Sequence, residues 1–290
     1  MIGSILDFAR DAVGRDGSPA NYHAFSEAVF CFQETNRSDL RDTLYEPALC
    51  LILQGGKQTI VDGRTLDLAQ GDTVLISHHV PVQAQITDAS ADRPYLALII
   101  RINMAIIREF AIEIQSMSRT SEATYSVTSA AAHGDLLETT YRLLKALDDP
   151  LESKLIGPSI YRELHLRILQ APHGGMLRRM ASGDSIANGI ARAIKFMREH
   201  YRDNLSVASI ASEAGMSESS LHQKFRSITG TTPKHYLKML RLQEAQNALT
   251  LQGLSVAETA LATGYKSVSH FSRDYARYFG APPKTARAPG

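Results

Sequence analysis

Apolar residues fall in short runs over the first third of the chain. Between residues 24 and 102 these runs are separated by pairs that favour tight turns, namely Gly-Gly at 55–56, Asp-Gly at 62–63 and Gly-Asp at 71–72. Strands at this spacing predict an antiparallel barrel or sandwich. The first part of the chain is therefore predicted to be a β domain.

Helical periodicity replaces this pattern further along. Apolar residues three or four positions apart predict helices over residues 104–116, 135–147 and 153–169. In the last of them one stripe is apolar: Leu155, Ile156, Ile160, Leu164 and Ile168. The stripe fits packing on the β domain or on a second subunit, and both interpretations stay open. Residues 171–175 and 181–185, with their Gly and Ser, predict a linker.

The last third of the chain contains an internal repeat. Residues 205–216 and 254–265 lie 49 positions apart and share six of twelve residues, and the segments that follow, 217–234 and 267–284, share five of eighteen. In each copy a glycine ends a first short helix, and a serine then caps a second. Each copy is therefore predicted to be a helix-turn-helix unit, whose second helix is the usual groove reader.

A helix of ~18 residues, spanning ~27 Å, is predicted between the two copies, over residues 234–251. One copy alone would equally fit a helical hairpin of any helical protein. Two copies on such a spacer suit recognition helices about one DNA turn (~34 Å) apart.

Charge is divided unevenly along the chain of 290 residues. Its composition, 44% hydrophobic with net charge +1, excludes a disordered chain, a collagen-like fibre and a disulfide scaffold. From residue 186 to the end, 14 Lys and Arg face 7 Asp and Glu, whereas the preceding residues hold 17 against 23. A basic module with net charge +7 behind an acidic region of −6 favours a polyanion-binding domain on a regulatory body.

Three motifs in the repeat region carry a family resemblance: RLQEAQNAL at 241–249, GYKSVSHFSRDY at 264–275 and FGAPP at 279–283. They resemble the DNA-binding domain of the AraC-type (arabinose-regulator) transcription factors. The stretch LDLAQGDTVLI at 66–76 resembles the strand-turn-strand of cupin barrels. Residues 45–102, together with residues 157–181, resemble the N-terminal effector domain of one AraC-type subgroup.

The resemblance implies two domains in an α+β chain. Residues 1–180 are expected to form a cupin-like β-barrel with helices that senses an effector and dimerises. Residues 186–290 are expected to form an all-α domain with two helix-turn-helix units joined by a helix.

Side chains that face away from the predicted core are the candidate DNA contacts. On the first recognition helix they are Ser219, His222, Gln223 and Arg226, and on the second Val268, Ser269, Ser272, Arg273 and Arg277. An arginine pairs bidentately with guanine and a glutamine with adenine, which predicts these roles for Arg273 and Gln223. His222 can donate to a base, and Val268 can touch a thymine methyl group.

Phosphate contacts are predicted for four basic residues, Arg226, Arg277, Lys238 and Lys266. By resemblance, the base-contacting positions of the family fall on all the other candidates. One departure is Gln223, which stands where many members carry arginine. Arg273 is therefore the principal predicted base reader, and for every candidate the alternative is an exposed helix face without a specific contact.

An effector pocket is predicted inside the β domain. Its candidate lining is Leu51, Leu53, Val74, Ile76, Leu96 and Leu98. The same residues fit an ordinary hydrophobic core, and we favour the core over the pocket.

Metal chemistry is not expected in this β domain. A cupin enzyme needs two histidines on alternate positions of a strand, but His78 and His79 are adjacent and in a strand would face opposite ways. One of them is instead predicted to be a turn or pocket-rim residue and the other an exposed residue. No cofactor is therefore predicted. Cys31 and Cys50 are expected to be free thiols rather than a disulfide.

These features predict a cytoplasmic, homodimeric transcriptional regulator, more often an activator in this family, that binds promoter DNA and acts on RNA polymerase. No signal peptide or membrane span is expected. A cupin-type metal enzyme with an appended helical domain is the alternative, and a non-specific nucleoid binder is a third interpretation.

Overall fold

The computed structural model describes residues 1–16, 22–110, 125–181, 183 and 185–286. The strands in these residues are β1 (Tyr22–Ala24), β2 (Val29–Glu34), β3 (Arg41–Tyr45), β4 (Ala48–Gln54), β5 (Gly56–Val61), β6 (Arg64–Ala69), β7 (Asp72–Ile76), β8 (Val80–Asp88), β9 (Tyr95–Arg101) and β10 (Val127–Ala131). The helices up to the end of the predicted sensing domain are α1 (Ile2–Asp16), α2 (Met104–Glu109), α3 (Gly134–Asp148), α4 (Pro150–Leu155), α5 (Gly157–Gln170) and α6 (Gly175–Ala181). The helices beyond it are α7 (Ser185–Glu199), α8 (Val207–Ala214), α9 (Glu218–Thr229), α10 (Pro233–Thr250), α11 (Val256–Ala262) and α12 (Val268–Phe279), before a short 3-10 turn at Pro283–Ala286.

The strands form two sheets. One has the order β1-β2-β9-β4-β7-β10 and the other the order β3-β8-β5-β6. The predicted α+β class, with strands first and two helix-turn-helix units last, is confirmed. The expectation of a barrel needs one correction, because the strands are arranged as two sheets and not as one closed barrel.

Strand register decides which side chains share a face of the larger sheet. Leu51 pairs with Leu98 across β9 and with Thr73 across β7, whereas Cys50 pairs with Val74. Because successive residues of a strand point to opposite faces, Leu51 and Leu98 lie on one face and Val74 lies on the other.

The two cysteines are separated by the same rule. Cys31 pairs with Leu98 and so shares the face of Leu51, whereas Cys50 lies on the opposite face. Both thiols are free, which confirms the prediction. Burial raises the pKa of Cys31 to about 12, so this thiol stays protonated.

Helix α1 was not predicted from the sequence. Its buried residues are Ile5, Leu6, Ala9 and Ala12, of which Ile5, Ala9 and Ala12 are spaced for one helix face. The helix contacts β4, and Arg10 donates a hydrogen bond to the buried Gln54. Two of these three residues are alanines, which give only a weak signal in a hydrophobicity pattern.

The helices after β9 follow the prediction with one break. Helix α3 matches the predicted 135–147, and α2 covers the beginning of 104–116, of which 111–116 lie outside the described residues. The predicted helix over 153–169 is two helices, α4 and α5, because Pro158 in the first turn of α5 starts a new helix.

This break also corrects the predicted apolar stripe. Ile160, Leu164 and Ile168 are buried, as expected. Leu155 and Ile156 are 65% and 45% exposed, because they lie on the other side of the break.

Residues 171–175 are packed and do not form the predicted linker. His173 is buried, and its Nε2 lies 3.1 Å from the hydroxyl of Thr73, while Thr128 donates to its carbonyl oxygen. Since the Thr73 hydroxyl donates to Ala130, it accepts from His173 Nε2. Desolvation lowers the pKa of His173 to about 4, and this side chain is neutral at pH 7.

The chain divides into two compact units. The first comprises Met1–Leu40, Glu46–His78 and Ala84–Asp184, and the second comprises Arg41–Tyr45, His79–Gln83 and Ser185–Gly290. In the part of the chain that the structure describes, no helix has the length and apolar character that crossing a bilayer requires.

Candidate nucleic-acid interface

The first helix-turn-helix unit consists of α8 and α9. Ser206 and Ser209 form a capping box at the start of α8, and Gly215 ends the helix in the left-handed conformation, with φ of 68°. Ser217 then caps α9 by accepting from the backbone of Ser220. The serine and glycine positions therefore set the turn, as the sequence predicted.

The second unit, α11 and α12, repeats these devices. Ser255 and Glu258 form the capping box of α11, and Ser267 caps α12. Gly264 has φ of 79°, and a Cβ at this position would lie 2.5 Å from the carbonyl oxygen of Arg202. Only glycine fits this turn without displacing the backbone.

The predicted inward-facing residues of the two recognition helices are packed into the protein interior. On α9, Leu221, Phe225 and Ile228 are buried. On α12, Phe271 and Tyr275 are buried in a cluster with Leu242 and Ala260, against which Tyr278 packs. Each unit therefore has its own core under the recognition helix.

The predicted reading residues of α9 all lie on its exposed side: Ser219, His222, Gln223 and Arg226. They are spaced three or four positions apart and so share one face of the helix. An exposed guanidinium, imidazole and carboxamide on one face supply donors for bases and a positive charge for phosphates.

The predicted reading residues of α12 are also at its surface. Val268, Ser269, Arg273 and Arg277 are exposed, and Ser272 is half-buried. Val268 is 40% exposed, which leaves its methyl groups available to an apolar partner. All the predicted residues of the second reader are therefore at least partly accessible to solvent.

Helix α10 joins the two units, as predicted. It spans 18 residues, Pro233–Thr250, and Thr232 caps it by accepting from the backbone of His235. Its buried residues include Tyr236, which contacts Phe225 of the first unit edge to face. Leu249 belongs to the core of the second unit. One helix therefore contributes to both cores.

Lys238 is placed differently from its predicted role as a phosphate contact. Its Nζ lies 3.3 Å from the Oδ1 of Asp274, a buried residue of α12. Lys266, the other predicted lysine, is exposed. No sequence pattern indicated the ion pair, because the partners lie 36 positions apart and such patterns do not pair side chains over this separation.

Arg241 is a second residue whose role became visible only in the structure. Its guanidinium donates to the carbonyl oxygens of Tyr201 and Asp203, at 2.7 and 2.8 Å. Partial burial lowers its pKa, though an arginine keeps its charge. Arg241 ties α10 to the loop after α7, and its place in the RLQEAQNAL motif was the only signal in the sequence.

The six candidate pocket residues are all buried, but they do not share one lining. Leu51, Leu96 and Leu98 lie on the sheet face that α1 covers. Gln54 accepts a hydrogen bond from Arg10 of α1, and it pairs in register with Leu96 on this face. Val74 and Ile76 lie on the opposite face. Leu53 falls where the register between β4 and β9 shifts.

His78 lies in the turn between β7 and β8, as one of the two histidines was predicted to, but neither histidine is fully exposed. His78 is buried, and its Nδ1 lies 3.0 Å from the hydroxyl of Ser77 and 3.3 Å from that of Ser126. His79 is half-buried and hydrogen-bonded to Arg198. Within the described residues, no three His, Cys, Asp or Glu side chains come together as a metal site would require.

Comparison with protein families matches both parts of the chain. Residues 26–176 match the model of the AraC-type transcriptional regulator N-terminus, and residues 210–288 match a helix-turn-helix domain. A curated relative, the HTH-type transcriptional activator RhaS of Escherichia coli, is 28% identical over 115 residues. This alignment covers 39% of the chain and 41% of the relative, so the chain matches less than half of RhaS.

Solved structures show the same fold over nearly the whole chain. ToxT from Vibrio cholerae matches with a TM-score of 0.62 and 11% identity, over 89% of this chain and 97% of that chain. A ToxT structure with an unsaturated fatty acid bound matches with a TM-score of 0.56 and 10% identity, over 89% and 92%.

Proposed function

Because the chain belongs to the AraC-type transcriptional regulators, we propose that it reads two adjacent DNA boxes, with α9 in one major groove and α12 in the next. The observation that carries this proposal is the pairing of two recognition helices with exposed polar faces on one spacer, α10, of 18 residues. Its length of about 27 Å suits readers about one DNA turn apart.

Each reading residue has a proposed role. Arg273 pairs with a guanine and Gln223 with an adenine, while His222, Ser219, Ser269 and Ser272 donate to base edges, and Val268 contacts a thymine methyl group. Arg226, Arg277 and Lys266 contact phosphates and supply affinity without sequence information. Apart from the half-buried Ser272 these residues are exposed, which supports the proposed roles. Lys238 is left out of this set because of its ion pair with Asp274.

Sensing is proposed for the N-terminal domain, residues 1–180, and DNA binding for residues 186–290. Since α1 covers the face of Leu51, Leu96 and Leu98, we place a small apolar effector against the opposite face, at Val74 and Ile76. ToxT shares the fold and has been solved with an unsaturated fatty acid, so fatty acids are the first ligands to test. A ligand that raises the melting temperature of the wild type but not of Val74→Trp supports this site.

Assembly and output complete the proposal. The chain acts in the cytoplasm as a homodimer and activates transcription through RNA polymerase; RhaS, which matches it in part, is a transcriptional activator. Sedimentation of the full-length protein tests the dimer, and transcription in vitro from a selected site tests the activation. The alternative of a metal enzyme is not retained, because the N-terminal match describes a transcriptional regulator and the C-terminal match describes a helix-turn-helix domain.

The experiment for DNA reading is selection of duplexes from a random library by the full-length protein at about 0.15 M salt, where phosphate attraction is partly screened. The proposal predicts two enriched boxes, spaced by about 10 base pairs from centre to centre. Uniform recovery of all sequences would favour the non-specific binder and contradict the proposal.

Arg273→Ala then tests the principal reader. It should weaken binding to the selected duplex by about 1–3 kcal/mol and relax the preference at one base pair. Lys266→Ala is the matched control: it removes a proposed phosphate contact, so it should weaken binding to all sequences alike and lower the salt dependence.

A further inference from the structure

Helix α12 carries a buried carboxylate next to its proposed guanine reader. Asp274 is only 8% exposed, although its neighbour Arg273 is exposed. Its Oδ1 lies 3.3 Å from Lys238 Nζ, and its Oδ2 lies 3.5 Å from the hydroxyl of Tyr265 and 3.6 Å from His270 Nε2. Groups from α10, from the turn before α12 and from α12 itself therefore meet at this carboxylate.

The physical chemistry of a buried carboxylate makes this arrangement demanding. Burial disfavours the charge unless a cation or hydrogen-bond donors compensate for the lost water. Lys238 supplies the cation, with a side chain 34% exposed. The hydroxyl of Tyr265 keeps its proton, since burial, and then the charge of Asp274, raise its pKa. Breaking the pair would leave Asp274 charged and poorly solvated.

The first helix-turn-helix unit has no counterpart of this group. By the repeat alignment, Lys224 stands at the position of Asp274, and Ser220 at the position of His270. Met216, next to the turn glycine, matches Tyr265. The helix-turn-helix backbone therefore forms without the carboxylate, and the group is particular to the second unit.

We propose that Asp274 is a positioning residue for DNA reading: by binding Lys238 it fixes the rotation of α12 against α10, so that Arg273 faces its base, and it holds Lys238 away from the phosphates. This inference rests on the proposed function, because it concerns the reader of the second box. Two further polar contacts act in the same direction, since Gln243 and Gln246 of α10 bond to the hydroxyls of Tyr278 and Tyr275.

The test measures binding of the full-length protein to three duplexes: the selected one, one with the first box scrambled, and one with the second box scrambled. Asp274→Asn keeps the size of the side chain and removes its charge. Glu213→Gln, an exposed residue of α8, is the matched control with the same change in net charge. Loss of a negative charge by itself strengthens binding to DNA, so electrostatics alone predicts tighter binding for both variants.

Asp274→Asn is expected to bind the selected duplex about tenfold more weakly, with the loss confined to recognition of the second box. Discrimination of the first box stays at the wild-type level, whereas Glu213→Gln does not weaken binding and leaves recognition of both boxes unchanged. Unchanged or tighter binding with both boxes still recognised would overturn the inference. Equal loss at both boxes would also overturn it, since it would show a general folding defect.

Lys238→Gln provides an independent arm. The inference predicts the same loss at the second box, with an unchanged slope of log affinity against log salt. A phosphate contact would instead lower that slope by about one and spare box discrimination, and this result would contradict the inference. If the wild type selects no boxes, the proposed function itself fails; if it does and Asp274→Asn behaves like the wild type, only the inference fails.

Discussion

The two helix-turn-helix units have the same helix caps and turn glycines and differ in the side chains of their cores. The three inward positions of the recognition helix are Leu221, Phe225 and Ile228 in the first unit and Phe271, Tyr275 and Tyr278 in the second. Burial raises the pKa of Tyr275 and of Tyr278 to about 12, so both phenols stay protonated and bond to glutamines of α10. The second recognition helix is thus held by aromatic and polar contacts, and the core under the first is mostly aliphatic.

The difference shows which part of the sequence sets the geometry. Caps and left-handed glycines recur at matching positions in both units, and they define the helix-turn-helix backbone. The core can then change from aliphatic to aromatic, provided that the same face stays apolar. Each of the following predictions breaks one unit and uses the other as its control.

Truncation of the second core should have the largest effect. Phe271→Ala should destabilise the local structure by about 4 kcal/mol, because Phe271 is fully buried and contacts the rings of Tyr265 and Tyr275. Leu221→Ala, the matching change in the first unit, should cost about 3 kcal/mol. Hydrogen exchange of α9 and α12 in the full-length protein measures both. Greater exposure of α9 than of α12 in Phe271→Ala would contradict the assignment of separate cores.

The turn glycines should rank next. Gly264→Ala should cost about 3 kcal/mol, since φ is 79° and the new Cβ would meet the backbone oxygen of Arg202. Gly215→Ala should cost about 1–2 kcal/mol. Its φ of 68° is strained for an alanine, but the new Cβ would meet only the end of the Arg192 side chain, at 3.3 Å. Thermal melting of the two variants checks the order, and equal losses would argue against the close approach at Arg202.

Exchange of a reading residue would make the two readers more alike. Gln223 and Arg273 occupy matching positions of the repeat. Gln223→Arg should change the preferred base of the first box from adenine to guanine, with about 1–3 kcal/mol of discrimination at that position. Duplex selection with the variant measures the change. An unchanged first box would show that Gln223 does not read a base.

Loss of a serine cap should have the smallest effect and should be similar in both units. Ser217→Ala and Ser267→Ala should each cost about 1 kcal/mol, because each hydroxyl accepts from one backbone N–H at 3.3 Å. Thermal melting, with Ser217→Thr and Ser267→Thr as capping controls, measures the loss. A difference of more than about 1 kcal/mol between the two alanine variants would show that one serine does more than cap.

The sequence predicted what depends on local spacing. Serines, glycines and the apolar face located both units and α10, and the polar faces supplied the candidate reading residues. Tertiary partners were beyond this kind of analysis: Asp274 looked like an ordinary polar residue, and Lys238 looked like a free cation. The predicted pocket residues lie on two different faces of the sheet for a related reason. Which residues of β4 and β7 share a face follows from the strand register and not from their composition.

The central claim is that one rigid spacer holds two readers to one side of the DNA, and the spacing of the boxes tests it most directly. Affinity of the full-length protein is measured for the selected duplex and for duplexes with about 5 or about 10 base pairs inserted between the boxes, a half turn and a full turn of DNA. We predict that both insertions reduce affinity to that of a single box, because α10 can reach neither position. Undiminished binding to either duplex would contradict the account.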